Sequence, residues 1–236
     1  MTNIGSIKNI LSTTAILAAM TTGNTASAQG MAGDWYGSLF GGYSMSTDAE
    51  TSYVVERYDP EYTYTLNQEM DGGYILGATL GRSVMPNVRV EAEISYAKYE
   101  AGDFNYSSSY NIDSGGTWTY AETFAGSGGL TATYLMGNVW LDLPDMGGTS
   151  GVVPYVGGGV GGGKLEISTD DFSGDDTVFA YQIGAGVQFP MDAGMVDIGY
   201  RFKGTGKPKF EVFGEETLEF DELYSNNLQV GYVMKF

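Results

Sequence analysis

The 236-residue chain contains neither cysteine nor histidine. Without cysteine it has no disulfides, no thiolate zinc site and no cysteine nucleophile. Without histidine it lacks the commonest general base and the commonest metal ligand, so serine–histidine catalysis and histidine-bound metals are excluded. The two absences predict a protein that is not an enzyme and carries no cofactor.

Positive charge is also scarce, with 11 Lys and Arg against 29 Asp and Glu and a formal net charge of -18. Because nucleic-acid binding needs clustered basic residues, we expect no nucleic-acid partner. Long apolar runs are missing as well: no stretch beyond the N-terminal region approaches the 18 consecutive apolar residues of a spanning helix. These features leave two classes, a soluble domain and a β-barrel.

The N-terminal region has the pattern of a secretory signal peptide. Lys8 supplies a positive charge, residues 10–20 are apolar, and Ala26, Ser27 and Ala28 form a small-residue cleavage site. We therefore predict a signal peptide over residues 1–28, and one exported domain over residues 29–236.

Apolar and polar residues alternate through several segments of the predicted domain. In residues 88–96 apolar side chains take every second position, with charged or polar residues between them. Residues 179–189 and 196–203 repeat this period. Aromatic residues cap the apolar stripes, as in the interfacial girdles of a membrane barrel, which favours a barrel over a soluble sandwich.

The strand and turn signals predict an all-β fold, an eight-stranded antiparallel up-and-down transmembrane β-barrel. The predicted strands are Trp35–Met45, Gly73–Val84, Val88–Tyr99, Leu130–Leu141, Val152–Ile167, Val178–Phe189, Met195–Lys203 and Leu223–Phe236. Short breakers alternate with long polar loops between them. Because each transmembrane strand needs about 9 to 11 residues, a larger pore does not fit the chain.

The last ten residues, 227–236, carry the most specific pattern, since their apolar face ends in a C-terminal Phe. With residues 88–96, 154–161 and 196–202 they resemble the small eight-stranded outer-membrane barrels of Gram-negative bacteria. This is the OmpA-type group that includes opacity proteins and alphaproteobacterial surface antigens. The resemblance implies a location in the cell outer membrane. Because the chain ends with this strand, we expect no peptidoglycan-binding domain of the kind that longer members carry.

The resemblance also implies a partner in assembly. In this family the barrel-assembly machinery reads the terminal aromatic strand, which assigns an assembly signal to Tyr232, Met234 and Phe236.

The polar faces of the predicted strands point into the lumen, which eight strands leave just wide enough for side chains to fill. Buried charges there must be paired. We therefore predict a structural network, for which Lys203 is a further available cation. Its members are Arg89, Glu91, Glu93, Gln182, Gln188, Asp197 and Arg201. The alternative is a narrow, porin-like, ion-conducting lumen.

Two further motifs have competing interpretations. Asp170, Asp171, Asp175 and Asp176 form a candidate Ca²⁺ site, but they lack EF-hand spacing, so a solvated acidic loop is favoured. Residues 158–164 resemble a phosphate-binding loop whose magnesium-binding Ser or Thr is missing. Glycines that allow curvature and close packing in a narrow barrel explain that run better.

The predicted loops, residues 46–70 and 100–129, are rich in Tyr, Ser and Thr. They are either a recognition surface or hairpins that extend above the membrane. We expect a monomeric, non-enzymatic barrel that contributes to envelope integrity and to surface interaction through acidic, aromatic loops. A specific adhesin or surface antigen is the other alternative. The expected partners are outer-membrane lipid, lipopolysaccharide and an extracellular ligand or host surface.

Overall fold

The computed structural model describes residues 34–46, 49–55, 62–70, 72–112, 116–124, 128–144, 151–168, 173–212 and 216–236. The predicted signal peptide lies outside these ranges. The strands are β1 Trp35–Ser46, β2 Ala49–Val55, β3 Tyr62–Met70, β4 Gly73–Met85, β5 Val88–Ile112, β6 Gly116–Phe124, β7 Gly129–Asp142, β8 Val153–Ser168, β9 Ser173–Met191, β10 Gly194–Thr205, β11 Lys209–Val212, β12 Glu216–Glu219 and β13 Tyr224–Lys235. Within the described ranges no helix has the length and apolar character needed to cross a membrane.

Eight of these strands pair in an antiparallel ring, which confirms the predicted barrel. The order is β1, β4, β5, β7, β8, β9, β10 and β13, and β13 returns to pair with β1. The closing pair runs from Tyr36 opposite Lys235 to Ser46 opposite Ser225. Ring closure leaves no unpaired edge along the barrel wall. This matters because lipid offers no hydrogen-bond partners to backbone N–H and C=O groups.

The predicted strand ends differ from the observed ones on one side of the barrel. β5 continues to Ile112, although Tyr99 was the predicted end, and β2, β3 and β6 lie within the predicted loops. These strands form a four-stranded sheet in the order β2, β3, β5, β6 that extends the barrel wall. Alternating Tyr, Ser and Thr have high strand propensity, so the two segments continue as strands after the membrane span ends.

The outer wall carries the apolar positions of the alternating pattern. Ile94 is 57% exposed and Leu135 is 67% exposed, whereas the adjacent Glu93 is only 4% exposed. A soluble protein hides large apolar side chains, and a contiguous band of them marks a surface that meets another apolar phase. The outer wall is therefore the lipid-facing surface.

Aromatic residues flank this band at both ends. Tyr43, Tyr74, Tyr96 and Tyr200 lie toward the long connections, and Trp35, Phe189 and Phe236 lie toward the short turns. Such girdles mark the two lipid–water interfaces. Short turns lie on the periplasmic side of outer-membrane barrels, so β2, β3 and β6 extend on the extracellular side.

The lumen is filled by two layers of different chemistry. The extracellular half holds an apolar cluster to which β11 contributes Phe210. Its buried members are Ile75, Ala97, Tyr99, Leu130, Ala132, Tyr134, Met136, Leu165, Ala180, Phe210 and Leu223. The periplasmic half holds polar and charged side chains, which form the candidate site.

Candidate functional site

The glycine-rich strand β8 makes room for the large lumenal side chains of its neighbour β7. A Cβ on Gly159 would lie 2.0 Å from Oδ1 of Asn138, and one on Gly157 would lie 2.6 Å from the Trp140 ring. Residues 158–164, which resemble a phosphate-binding loop, lie within the β8 strand. Gly159, Gly161 and Gly163 occupy the inward positions of this run and serve close packing inside the barrel.

The ion pair between Glu93 on β5 and Lys203 on β10 lies at the centre of the lumen. The Lys203 ammonium is 2.7 Å from the Glu93 carboxylate, and the two side chains are 1% and 4% exposed. Gln182 donates to the same carboxylate at 2.8 Å, Asn138 at 3.0 Å and Ser95 at 2.8 Å. A buried carboxylate with a cation and three neutral donors is fully satisfied, as burial requires.

A second ion pair closes the periplasmic end. The Arg89 guanidinium contacts the Asp142 carboxylate through Nη2 at 2.8 Å and Nε at 2.9 Å. The Tyr36 hydroxyl accepts a long bond from Arg89 at 3.4 Å and donates to Glu91 at 3.0 Å. Among the described residues Glu91 has no cation within ion-pair distance, and it accepts a hydrogen bond from the indole of Trp140 at 3.1 Å.

Arg201 is held by aromatic rings. Its guanidinium carbon lies 4.1 Å from the centroid of the Trp140 ring and 5.2 Å from that of Tyr155. Arg201 donates to the Tyr155 hydroxyl at 2.8 Å, and Tyr155 donates to Asp197 at 2.8 Å. Asp197 also accepts from Gln188 at 3.1 Å. In the described part of the chain Arg201 has no carboxylate within ion-pair distance.

The structure therefore brings the predicted lumen residues together inside the barrel. Five of them are buried and two are half-buried, and all lie on the lumenal positions of their strands. They are Arg89, Glu91, Glu93, Gln182, Gln188, Asp197 and Arg201. The sequence predicted one network with Lys203 as a further available cation, and in the structure Lys203 is the cation beside Glu93.

Sequence reasoning also missed the neutral members of this network and one acid. Asn138, Trp140 and Asp142 occupy alternate, inward positions of β7, and Tyr36 and Tyr155 occupy such positions of β1 and β8. The period-2 signal in the sequence was enough to place them inside.

A small cavity of about 30 Å³ lies among these side chains, bordered by Glu91, Asp197 and Arg201. Gln229 lines it and is 5% exposed, and its amide nitrogen has no hydrogen-bond partner among the described residues. A polar void of this size accommodates about one water molecule.

The extracellular sheet has two chemically different faces. The register sets Tyr106 opposite Glu122 and Ser108 opposite Tyr120, so these residues share one face. Trp118 belongs to the same face, and Trp118 and Tyr120 are 62% and 56% exposed. The Tyr106 and Tyr120 rings are arranged edge to face, with their centroids 6.4 Å apart. A hydrogen bond from Tyr120 to Glu122 raises the pKa of the Tyr120 phenol.

The opposite face of this sheet carries small hydroxyl and amide side chains. Ser107, Ser109, Thr119 and Thr123 lie there by register, and Thr123 donates to Asn105 at 2.7 Å. The backbone register continues across the sheet, with Tyr64 opposite Ser108 and Tyr62 opposite Tyr110. The alternation in β5 and β6 therefore places Tyr106, Trp118 and Tyr120 on one face and most of the small hydroxyl side chains on the other.

The candidate Ca²⁺ residues are only partly described. Asp170 and Asp171 lie outside the described residues, and Asp175 is 3.5 Å from the ammonium of Lys164. Asp176 accepts the backbone N–H of Lys209 at 2.7 Å, which ties β11 to β9. Among the residues that the structure describes, no cluster of three acidic or other metal-binding side chains is suited to a metal ion.

Two of the three assembly-signal residues lie on the outward face of β13, and the third, Phe236, follows directly after the strand ends at Lys235. Phe236 is 76% exposed, and its backbone N–H donates to the carbonyl of Trp35 at 2.9 Å. Tyr232 and Met234 precede it on the same face of the strand. Their assembly role stays a prediction.

Comparison with known families gives one match over nearly the whole chain. The sequence profile of the family described as outer membrane protein beta-barrel domain matches residues 13–236. No match was found among curated proteins.

Solved structures with the same architecture include several outer-membrane barrels. Neisserial surface protein A has 14% identity and a TM-score of 0.51, with 86% of this chain and 97% of that chain covered. OprG of Pseudomonas aeruginosa has 14% identity and a TM-score of 0.47, with 89% and 99% covered. The attachment invasion locus protein Ail of Yersinia pestis has 17% identity and a TM-score of 0.39, with 86% and 100% covered. At these identities the likeness concerns the fold alone.

Proposed function

The chain belongs to the family of outer membrane protein beta-barrel domains, and on this premise we propose that it is a non-enzymatic surface-interaction protein. Its barrel contributes to envelope integrity as a closed membrane element. Its extracellular sheet supplies the contact surface. The observation that carries the proposal is the continuation of β5 as far as Ile112 with β6 paired to it, since Trp118 and Tyr120 of β6 are exposed outside the membrane.

The filled lumen supports the structural part of the proposal. The Glu93–Lys203 pair lies between the Arg89–Asp142 pair and the apolar cluster, so both the polar and the apolar layer obstruct the axis. An eight-stranded barrel has little interior space left once large side chains fill it. The absence of histidine from the whole chain favours a role without acid–base catalysis.

Charge and aromatic content favour a cationic partner for the extracellular sheet. Residues 47–71 contain seven acidic residues and one basic residue, and residues 100–128 contain four acidic residues and no basic residue. Such segments repel anionic polymers and attract basic ones. Exposed Trp and Tyr rings add cation–π contacts with Lys and Arg side chains. We therefore propose a Lys- and Arg-rich polypeptide surface as the partner class.

Binding of fluorescent poly-L-lysine to the mature barrel in lipid nanodiscs tests this proposal, with heparin as the anionic comparison. We expect binding of poly-L-lysine but not of heparin, and a several-fold loss of affinity in the Trp118→Ser, Tyr120→Ser double variant. Thr119→Ala with Ala121→Ser changes the opposite face of the same strand and serves as the matched control. Equal affinity for all three proteins would contradict a role for the aromatic face.

A narrow pore is the second candidate, because the polar half of the lumen contains a cavity of about 30 Å³ beside Arg201 and Gln229. Planar-bilayer recordings distinguish the two functions. The closed barrel predicts an absence of steady current from the purified protein, whereas a steady ohmic conductance in every insertion would favour the pore.

Export and assembly remain parts of the proposal. We propose that residues 1–28 direct export and that Phe236 directs insertion by the barrel-assembly machinery as a monomer in contact with lipopolysaccharide. Deletion of Phe236 should lower outer-membrane accumulation, while cleavage after Ala28 continues. Normal accumulation of the shortened protein would contradict the assembly role.

A further inference from the structure

A groove of about 440 Å³ lies on the outer wall of the barrel, near its periplasmic end. Ala92 and Gly137 lie opposite each other on β5 and β7, and their small size creates the depression. The larger side chains of Leu80, Val84 and Val90 border it on the lipid-facing surface. The groove is thus an apolar trough open to the acyl region of the membrane.

One end of the groove carries a cation and an aromatic ring. The guanidinium carbon of Arg82 lies 5.5 Å from the centroid of the Trp35 ring, and both side chains are exposed and line the groove. Arg82 is the only charged side chain at the described outward positions of the eight barrel strands in the periplasmic half of the wall. The outward Lys98 and Lys164 lie near the extracellular end of their strands.

The depth of Arg82 suits a lipid headgroup. It lies three residues from the end of β4 at Met85, which is roughly 8 Å along the membrane normal for a strand tilted by about 40°. A long Arg side chain at this depth extends to the interface while its alkyl stem stays in the apolar region. The neighbouring Trp35 ring is of the type that lies at the headgroup level.

We propose that this groove binds a phospholipid of the periplasmic leaflet, with its phosphate on Arg82 and one acyl chain along Ala92 and Gly137. A guanidinium group binds phosphate oxygens through two parallel hydrogen bonds, which an ammonium group does not reproduce. We expect a preference for a headgroup with net negative charge, because Arg82 places a positive charge at the end of the groove. The inference rests on the barrel wall alone and is independent of the extracellular sheet.

The wall offers two matched glycines for filling the groove. A Cβ on Gly137 would meet nothing closer than a backbone oxygen of Val160 at 3.9 Å, so a larger side chain fits there without a clash. Gly162 on β8 also faces outward and has the same 3.9 Å clearance, yet it does not line the groove. Gly137→Leu therefore blocks the trough, and Gly162→Leu adds the same bulk elsewhere.

Native mass spectrometry of the full mature barrel, titrated with phosphatidylglycerol or phosphatidylcholine of identical chains, tests the site. We expect one tightly retained phosphatidylglycerol, and retention at least fivefold lower in Arg82→Gln and in Gly137→Leu. Lys98→Gln and Gly162→Leu should retain the lipid as the wild type does. Glycerol phosphate, which lacks acyl chains, should not displace it.

Each departure from this pattern overturns a stated part of the proposal. Equal retention of the two lipids by the wild type would overturn the preference for a net anionic headgroup, and unchanged retention in Arg82→Gln would overturn the phosphate contact. Unchanged retention in Gly137→Leu would overturn the acyl groove. Circular dichroism and the gel shift of the heated barrel establish that each variant is folded before its lipid is counted.

Discussion

The two halves of the lumen are enclosed by the same eight strands, yet they are filled in opposite ways. The periplasmic half contains two buried ion pairs, Glu93–Lys203 and Arg89–Asp142. The extracellular half is apolar and includes Phe210 from a hairpin outside the barrel wall. A narrow barrel can therefore be closed either by satisfied charges or by packed rings. The two solutions should fail differently when one member is removed.

In the polar layer, a substitution lowers stability because it leaves the partner charge buried without a counter-ion. Removal of Lys203 leaves Glu93 with neutral donors but no cation, in a place that water barely reaches. An apolar layer fails through the void that a lost ring leaves, and neighbouring side chains partly fill that void. The first kind of damage is electrostatic and depends on the partner, whereas the second depends on shape.

The largest loss is expected from Lys203→Met. Breaking a buried ion pair by removing one partner typically costs about 3 to 5 kcal/mol, because the remaining charge is uncompensated. The free energy of unfolding, measured by reversible urea unfolding in lipid vesicles, should fall by that amount. Lys207→Met is the control, since Lys207 and Asp221 form an exposed pair worth about 0 to 1 kcal/mol.

The double variant Lys203→Met, Glu93→Leu sharpens this result. It removes both charges, so it should recover part of the stability lost in the single variant. A double variant as unstable as the sum of both single variants would show that the pair is not coupled. Water in the lumen would then screen the attraction between Glu93 and Lys203.

The next effect is expected in the apolar layer, from Phe210→Ala. Phe210 is 2% exposed and contacts Phe220 with ring centroids 5.5 Å apart. Removing a buried ring costs about 3 kcal/mol or more, and β11 should detach from the barrel. Trypsin cleavage after Lys209 in the folded protein should therefore become faster. Unchanged cleavage and unchanged stability would mean that the hairpin does not seal the lumen.

A third variant tests which strand positions face the lipid and which face the lumen. Ile94 follows Glu93 in the chain but faces outward and is 57% exposed. Ile94→Arg should cost about 2 to 4 kcal/mol, the price of Arg on a lipid face near the midplane. Met85→Arg, at the periplasmic end of β4, should cost about 0 to 1 kcal/mol. Equal losses in urea unfolding would place both positions at the same depth and contradict the assigned orientation.

The smallest effect is expected above the apolar layer. Trp118 and Tyr120 lie on the extracellular sheet and are more than half exposed. Replacing both with Ser should change the free energy of unfolding of the barrel by less than about 0.5 kcal/mol per substitution. A loss as large as that of Phe210→Ala would show that the sheet is a structural extension of the lumen core and not a free surface.

Period-2 alternation, together with the turn signals and the aromatic residues that cap the apolar stripes, was sufficient to predict the barrel, the number of its strands and the inward orientation of Arg89, Glu91 and Glu93. In a strand every second side chain shares a face, so this information is local. The same local rule sorted most of the aromatic and hydroxyl residues of β5 and β6 onto the two faces of the extracellular sheet. The sequence did not reveal that β2, β3, β5 and β6 pair there, because pairing depends on which segments the barrel brings side by side.

The sequence by itself determined which side chains enter the lumen, since inward and outward positions follow from the strand period alone. Only the tertiary structure decided which of them meet. Lys203 reaches Glu93 from a strand 110 residues away, and β5 and β10 are not neighbours in the barrel. Their contact depends on the stagger of the strands and on the width of the closed ring. Those two quantities are set when all eight strands pair, and no segment of the chain encodes them locally.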